Sequence, residues 1–166
     1  MNVSRILSFC AAAGGTAALL AAPLPVKKTA LVTIPATIQV HAAPAKVWAA
    51  LTSLDGFGTL TGFHATGGAR AFTKIGDAVP ATVWSDAGRL VVTDFVPDKE
   101  LRVAWEPANG RYLCSKRIVL SAAAGGTSVE YWDRYTDDQA NADETAQKVA
   151  AETEKQIAAF RALAEK

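Results

Sequence analysis

The chain has 166 residues, 50% of them hydrophobic and 20% charged, which is enough apolar material for a packed core and excludes a disordered or low-complexity protein. Seventeen Lys and Arg against sixteen Asp and Glu give a net charge of +1, which argues against a nucleic-acid partner bound through phosphate contacts. Two Cys exclude a disulfide framework, and two distant His argue against a metal site, so we expect neither metal nor cofactor.

Residues 1–22 have the pattern of a targeting segment. Arg5 lies near the start, and an uncharged, mostly apolar stretch follows it to Ala22. This pattern predicts a signal peptide and a periplasmic or secreted protein. Two alternatives stay open: an uncleaved anchor in the inner membrane, because 21 uncharged residues separate Arg5 from Lys27, and a cytosolic protein whose start only resembles a signal.

The next segments predict a linker, one strand and two short helices. Residues 23–35 contain two Pro early on and show no periodicity, so we interpret them as a linker. Residues 36–42 alternate between apolar and polar side chains, as a half-buried strand does. Pro44 suits the first turn of a helix over 44–52. A second short helix is predicted over 54–63, with Asp55 as its candidate N-cap.

The middle of the chain predicts an antiparallel meander. The breaks between its apolar runs carry Gly, Pro, Asn and Asp, and they are too short for parallel crossovers. The candidate strands are 66–72, 78–85, 89–96, 101–106, 111–121 and 127–136. A long amphipathic helix is predicted to follow over 142–165, capped by Asn141.

One motif resembles a known superfamily. The run Ile38-x-Val40-x-Ala42-Ala43-Pro44-x-x-Val47-Trp48-x-x-Leu51 is similar to the opening of START-like, or SRPBCC, domains, and closest to their polyketide cyclase/dehydrase and lipid-transport branch. Further agreements are the Gly76 turn, the stretch from Val91 to Trp105, and Gly126-Thr127-x-Val129. The resemblance covers residues 36–166. The sequence departs from the family's pattern at the Gly-rich segment 56–62, where relatives often carry Trp.

The resemblance implies an α+β helix-grip fold. In this fold, a curved antiparallel sheet of about seven strands wraps around the long C-terminal helix, and two short helices follow the first strand. An apolar cavity between sheet and helix would hold a hydrophobic small molecule such as a lipid, an isoprenoid or an aromatic compound. Transient contact with a membrane would accompany such a role.

The candidate ligand-binding residues combine strand aromatics with apolar positions of the long helix and two polar groups near the cavity. They are Phe63, His64, Trp84, Leu101, Val103, Trp105, Tyr112, Tyr131, Asp133, Val149, Ile157 and Phe160. We assign no catalytic residue.

For the polar residues, a second interpretation without a role in ligand binding stays open. The inward face of strand 127–136 is open, and we expect Asp133 to lie at the cavity rim or to pair with an arginine. We expect His64 in a solvated loop. Lys116 and Arg117 point to opposite faces of their strand, so one of them can reach the cavity, but exposed charges are favoured. Cys114 is expected to be a buried strand residue.

No titratable pair is evident in the sequence, so a carrier is favoured over an enzyme. Two other functions stay open: a cyclase or dehydratase that uses the same cavity, and an interaction module whose cavity is filled by its own side chains.

Overall fold

The computed structural model describes residues 29–110, 112–138 and 142–166. The predicted signal peptide or anchor at 1–22, the first part of the predicted linker and the Asn141 cap lie outside these residues. Within the described part of the chain, no helix is both long enough and apolar enough to cross a membrane.

Seven strands form one curved antiparallel sheet, and three helices accompany it. In chain order the elements are β1 (Thr29–Val40), α1 (Pro44–Thr52), α2 (Leu54–Thr61), β2 (His64–Ala65), β3 (Ala78–Val83), β4 (Asp86–Val96), β5 (Glu100–Pro107), β6 (Cys114–Ala123), β7 (Gly126–Asp138) and α3 (Ala142–Ala164). The strand order across the sheet is β1-β7-β6-β5-β4-β3-β2. The predicted α+β helix-grip architecture is confirmed.

The core lies between the concave face of the sheet and α3. In the longer strands, alternate side chains point into this core, as in β5, where Leu101, Val103 and Trp105 are buried. Helix α3 packs against α2 and β1. Its buried face includes Val149 and Phe160. The two layers therefore bury one continuous apolar surface.

Two sequence predictions about strands are wrong. Residues 29–35, predicted as linker, belong to β1, where they pair with the far end of β7. Pro35 is compatible with this position because β1 is an edge strand of the sheet. The predicted strand 66–72 is replaced by the two-residue β2 and an isolated bridge at Ala71. That segment contains Gly67 and Gly68, which favour a turn over a strand.

The second short helix begins and ends at different residues from those predicted. Its N-cap is Ser53, whose hydroxyl accepts a hydrogen bond from the Gly56 amide at 3.0 Å, whereas Asp55 lies in the first turn. The helix ends at Thr61, because Gly62 adopts a left-handed conformation with φ 75°. A Cβ at Gly62 would also lie 2.6 Å from the Gln156 side chain, so the glycine lets α2 approach α3.

Gly88 gives room to the indole of Trp105. A Cβ at this position of β4 would lie 2.3 Å from the Glu106 carbonyl oxygen and 2.8 Å from the ring of Trp105. We expect Gly88→Ala to lower the free energy of unfolding by about 1–3 kcal/mol, the range for overpacking. Urea unfolding measures this loss. Gly67→Ala is the matched control, since its Cβ would meet nothing closer than 4.0 Å, and equal losses in both variants would contradict the expectation.

Candidate functional site

A cavity of about 700 Å³ opens beside the end of α2. Its walls come from the segment after α2, the β3–β4 hairpin, the beginning of β6, the end of β7 and the first turns of α3. The lining residues are Thr61, Gly62, Phe63, His64, Val83, Trp84, Tyr112, Cys114, Lys116, Asp133, Tyr135, Thr136, Thr145, Val149, Glu152 and Gln156. The volume lies in the range of small-molecule sites.

The sheet contributes a buried ion pair to the cavity. Lys116 on β6 and Asp133 on β7 are directly opposite in the strand register, so both side chains lie on the concave face. The Lys116 ammonium pairs with Asp133 Oδ2. The two residues are only 5% and 4% exposed. The expectations of an exposed Lys116 and of Asp133 at the rim or beside an arginine are therefore wrong.

The Lys116 ammonium is held in its charged form. Burial opposes the ammonium, but the surrounding Tyr131, Cys114 and Asp133 outweigh burial and raise the pKa of Lys116 above its ordinary value. Burial also raises the pKa of the Tyr131 phenol. At neutral pH the phenol and the thiol are protonated, so the carboxylate of Asp133 is the group that stabilises the ammonium.

Cys114, Lys116 and Asp133 together form the polar floor of the cavity. The Cys114 Sγ donates to Asp133 Oδ1 at 3.7 Å, and Cys114 is a buried, free cysteine on β6, as its sequence context predicts. Burial raises the pKa of the thiol to about 12, which keeps it protonated and weakly nucleophilic at neutral pH.

Aromatic side chains surround the floor. The Phe63 ring lies 5.5 Å from Lys116 Nζ, a distance at which a ring face attracts a cation. The same ring packs against Trp105, with ring centroids 4.8 Å apart. Trp105 Nε1 donates to the Tyr112 hydroxyl at 3.0 Å. Burial raises the pKa of Tyr112 to about 12, so its phenol also stays neutral.

Two of the exposed residues in the cavity wall are His64 and Trp84. His64 lies in the short strand β2 rather than in the solvated loop we expected, although its side chain is exposed. Trp84 is 74% exposed and has φ 49° in the β3–β4 turn. A bulky residue rarely adopts this conformation, which costs about 1–2 kcal/mol. An exposed indole is therefore held beside the cavity by a turn that a glycine would form more easily.

Half of the candidate ligand-binding residues line the cavity. These are Phe63, His64, Trp84, Tyr112, Asp133 and Val149. The others pack in the core without lining it: Leu101, Val103, Trp105, Tyr131, Ile157 and Phe160. Trp105 lies behind Phe63 and Tyr112, which contact it from the cavity side.

Sequence reasoning missed Lys116 and the polar positions of α3. Lys116 alternates with Cys114, Ile118 and Leu120, which are all buried, and this alternation signals an inward side chain. On α3, Thr145, Glu152 and Gln156 occupy the same side as Val149 at helical spacing. Both signals were present in the sequence, but an exposed Lys116 was favoured, and the ligand-binding candidates on α3 were all apolar.

The raised pKa of Cys114 predicts alkaline destabilisation. The unfolded thiol releases its proton near pH 9, whereas the folded one keeps it to about pH 12. The folded state therefore binds one more proton in this window, and its stability falls as pH rises, by about 1.4 kcal/mol per pH unit for a single group. Urea unfolding between about pH 8 and pH 11 measures the slope.

Cys114→Ala is the control for this titration. Tyr131 and Lys116, whose pKa values are also raised, add to the slope at higher pH in both proteins. In Cys114→Ala, the free energy of unfolding should fall less steeply with pH, because the contribution of one proton is missing. An unchanged slope of the free energy against pH above about pH 9 would contradict the assignment.

Comparison with proteins of known structure identifies the fold. No protein-family model and no curated protein matches the chain. Among solved structures, it is similar to protein MLL2253 from Mesorhizobium loti, with TM-score 0.62 and 15% identity over 80% of this chain and 96% of that one. Protein CV1439 from Chromobacterium violaceum gives TM-score 0.60 and 15% identity over 81% and 97%.

A third similar structure is Ara h 8.0201, with TM-score 0.58 and 14% identity over 81% of this chain and 98% of that one. Identities this low establish the fold alone. The match extends over nearly the full length of all three proteins, and it agrees with the element order and sheet topology described above. The chain therefore has the helix-grip fold.

Proposed function

We propose that this chain is an exported protein that binds and carries a hydrophobic small molecule. The observation that carries the proposal is the cavity of about 700 Å³ between the sheet, α2 and α3. Phe63, Val83 and Val149 supply apolar wall to it, and burial of a ligand's apolar surface contributes about 25 cal/mol per Å². Export and a periplasmic or secreted location rest on the sequence of residues 1–22.

The same cavity weakens the interaction-module alternative. A module of that kind fills its cavity with its own side chains, whereas here the space between sheet and helix is open.

An enzyme is the second candidate, favoured by the buried Lys116–Asp133 pair. General acid–base catalysis works best with a pKa near the working pH. The pKa values of Cys114, Tyr112 and Lys116 all move away from neutrality. The electrostatics of the cavity therefore support binding more than proton transfer.

A titration with N-phenyl-1-naphthylamine tests the proposal. This neutral, apolar fluorophore becomes bright when it leaves water. We expect saturable binding with one probe per chain, and displacement of the probe by added long-chain lipids or aromatic compounds. A linear, non-saturating signal equal to that of a protein without a cavity would overturn the proposal.

A further inference from the structure

The floor of the cavity carries charge that a purely apolar ligand would not use. Lys116 and Asp133 are almost fully buried, yet both line the cavity. A hydrocarbon lying against them would displace water from the pair without replacing any of the hydrogen bonds that water can make. The site is therefore better matched to a ligand with one polar group at this end.

Both members of the pair keep capacity for a further hydrogen bond. Asp133 accepts from Lys116 and from Cys114, while a carboxylate has about four acceptor positions. Lys116 has three N–H donors: Asp133 and the Tyr131 phenol each accept from the ammonium, and the third donor faces only the Cys114 sulfur, which is a weak acceptor that a ligand oxygen can replace. A ligand group that both accepts and donates can therefore contact both residues.

Charge balance restricts the ligand group further. Lys116 and Asp133 cancel each other, and the remaining Asp, Glu, Lys or Arg among the described lining residues is Glu152, which is exposed and pairs with Lys155 at 2.7 Å. A ligand carboxylate would bring a second anion to Asp133, and a ligand ammonium would bring a second cation to Lys116. Either ion would lose its water without gaining a counter-ion.

We propose that the ligand carries a neutral hydroxyl group, of an alcohol or a phenol, which accepts a hydrogen bond from Lys116 Nζ and donates one to Asp133. Its apolar remainder extends past Phe63 toward Val83 and Val149. This inference rests on the proposed function, because it names the ligand class of the same cavity.

Head-group competition tests the inference. Octanol, octanoate, octylamine and 1-methoxyheptane have chains of similar length, and each is titrated against bound N-phenyl-1-naphthylamine at neutral pH. We expect octanol to displace the probe at a concentration about tenfold lower than the two charged compounds, and lower than the ether, which has no donor for Asp133. Displacement by octanoate or octylamine that equals or exceeds that by octanol would overturn the inference.

The variant Lys116→Met/Asp133→Leu is used in a second experiment that tests the same inference. It replaces the ion pair with apolar side chains, and the probe affinity is measured separately for each protein. The advantage of octanol over 1-methoxyheptane should disappear in the variant, and its persistence would overturn the inference. If the variant does not fold, the head-group series on the unmodified chain decides.

The two proposals fail differently. A chain that does not bind the probe overturns the proposed function and the ligand class together. A chain that binds the probe but does not distinguish the head groups overturns only the ligand class.

Discussion

Lys116→Met is expected to lower the free energy of unfolding by about 3–5 kcal/mol, which is the usual cost of breaking a buried ion pair. Asp133 accepts from Lys116 and is buried beneath the cavity, so the variant leaves its carboxylate with the weak Cys114 thiol donor. Asp133→Leu should cost a similar amount, because it leaves the buried ammonium without a carboxylate partner. Urea unfolding near neutral pH measures both losses.

The double variant Lys116→Met/Asp133→Leu is the control that isolates the pair. It removes both charges and replaces them with apolar side chains of comparable size, so its stability should return to within about 1–2 kcal/mol of the unmodified chain. The coupling energy of the cycle should then reach about 3 kcal/mol or more. Losses that simply add would show that Lys116 and Asp133 do not act as a pair.

Filling the cavity from α3 should weaken ligand binding most strongly. Thr145 and Val149 lie one turn apart on α3, and both line the cavity. In Thr145→Trp/Val149→Trp, two indoles would occupy space that the ligand needs. We expect the affinity for N-phenyl-1-naphthylamine to fall at least about tenfold, which corresponds to about 1.4 kcal/mol of binding free energy.

A matched pair on the other side of the helix controls for the added tryptophans. Gln147 and Ala151 are also four residues apart on α3, and both are exposed. Gln147→Trp/Ala151→Trp should keep the probe affinity of the unmodified chain. Similar losses in both double variants, or an unchanged affinity in Thr145→Trp/Val149→Trp, would place the probe outside the cavity.

The fold could be predicted because local patterns agree with the global arrangement. The alternation of Ile38 and Val40, the short turns of the meander and the amphipathic C-terminal helix all point to a sheet that one helix covers. The first strand was predicted too short, because its beginning pairs with the distant end of β7 and carries Pro35. The β-branched run Val32-Thr33-Ile34 is a local strand signal, but Pro35 interrupts it, and Pro is rare inside a strand.

The candidate site was only partly predictable from the sequence. Alternation places Asp133 on the same face as Tyr131 and Tyr135, but it cannot show that this face is the concave one. The partner of Asp133 depends on the register of β6 against β7, which brings Lys116 opposite it across a separation of 17 residues. Similarly, the sequence cannot show that Trp105 packs behind Phe63 rather than lining the cavity itself.

The most direct measurement is a set of intermolecular NOEs between N-phenyl-1-naphthylamine and the methyl groups of the isotope-labelled chain. Binding in the cavity predicts NOEs from the probe to Val83 in β3 and to Val149 in α3, which both line it. Leu31 and Leu113 are exposed apolar residues that do not line the cavity. NOEs to Leu31 and Leu113, without NOEs to Val83 and Val149, would contradict a ligand held between the sheet and the C-terminal helix.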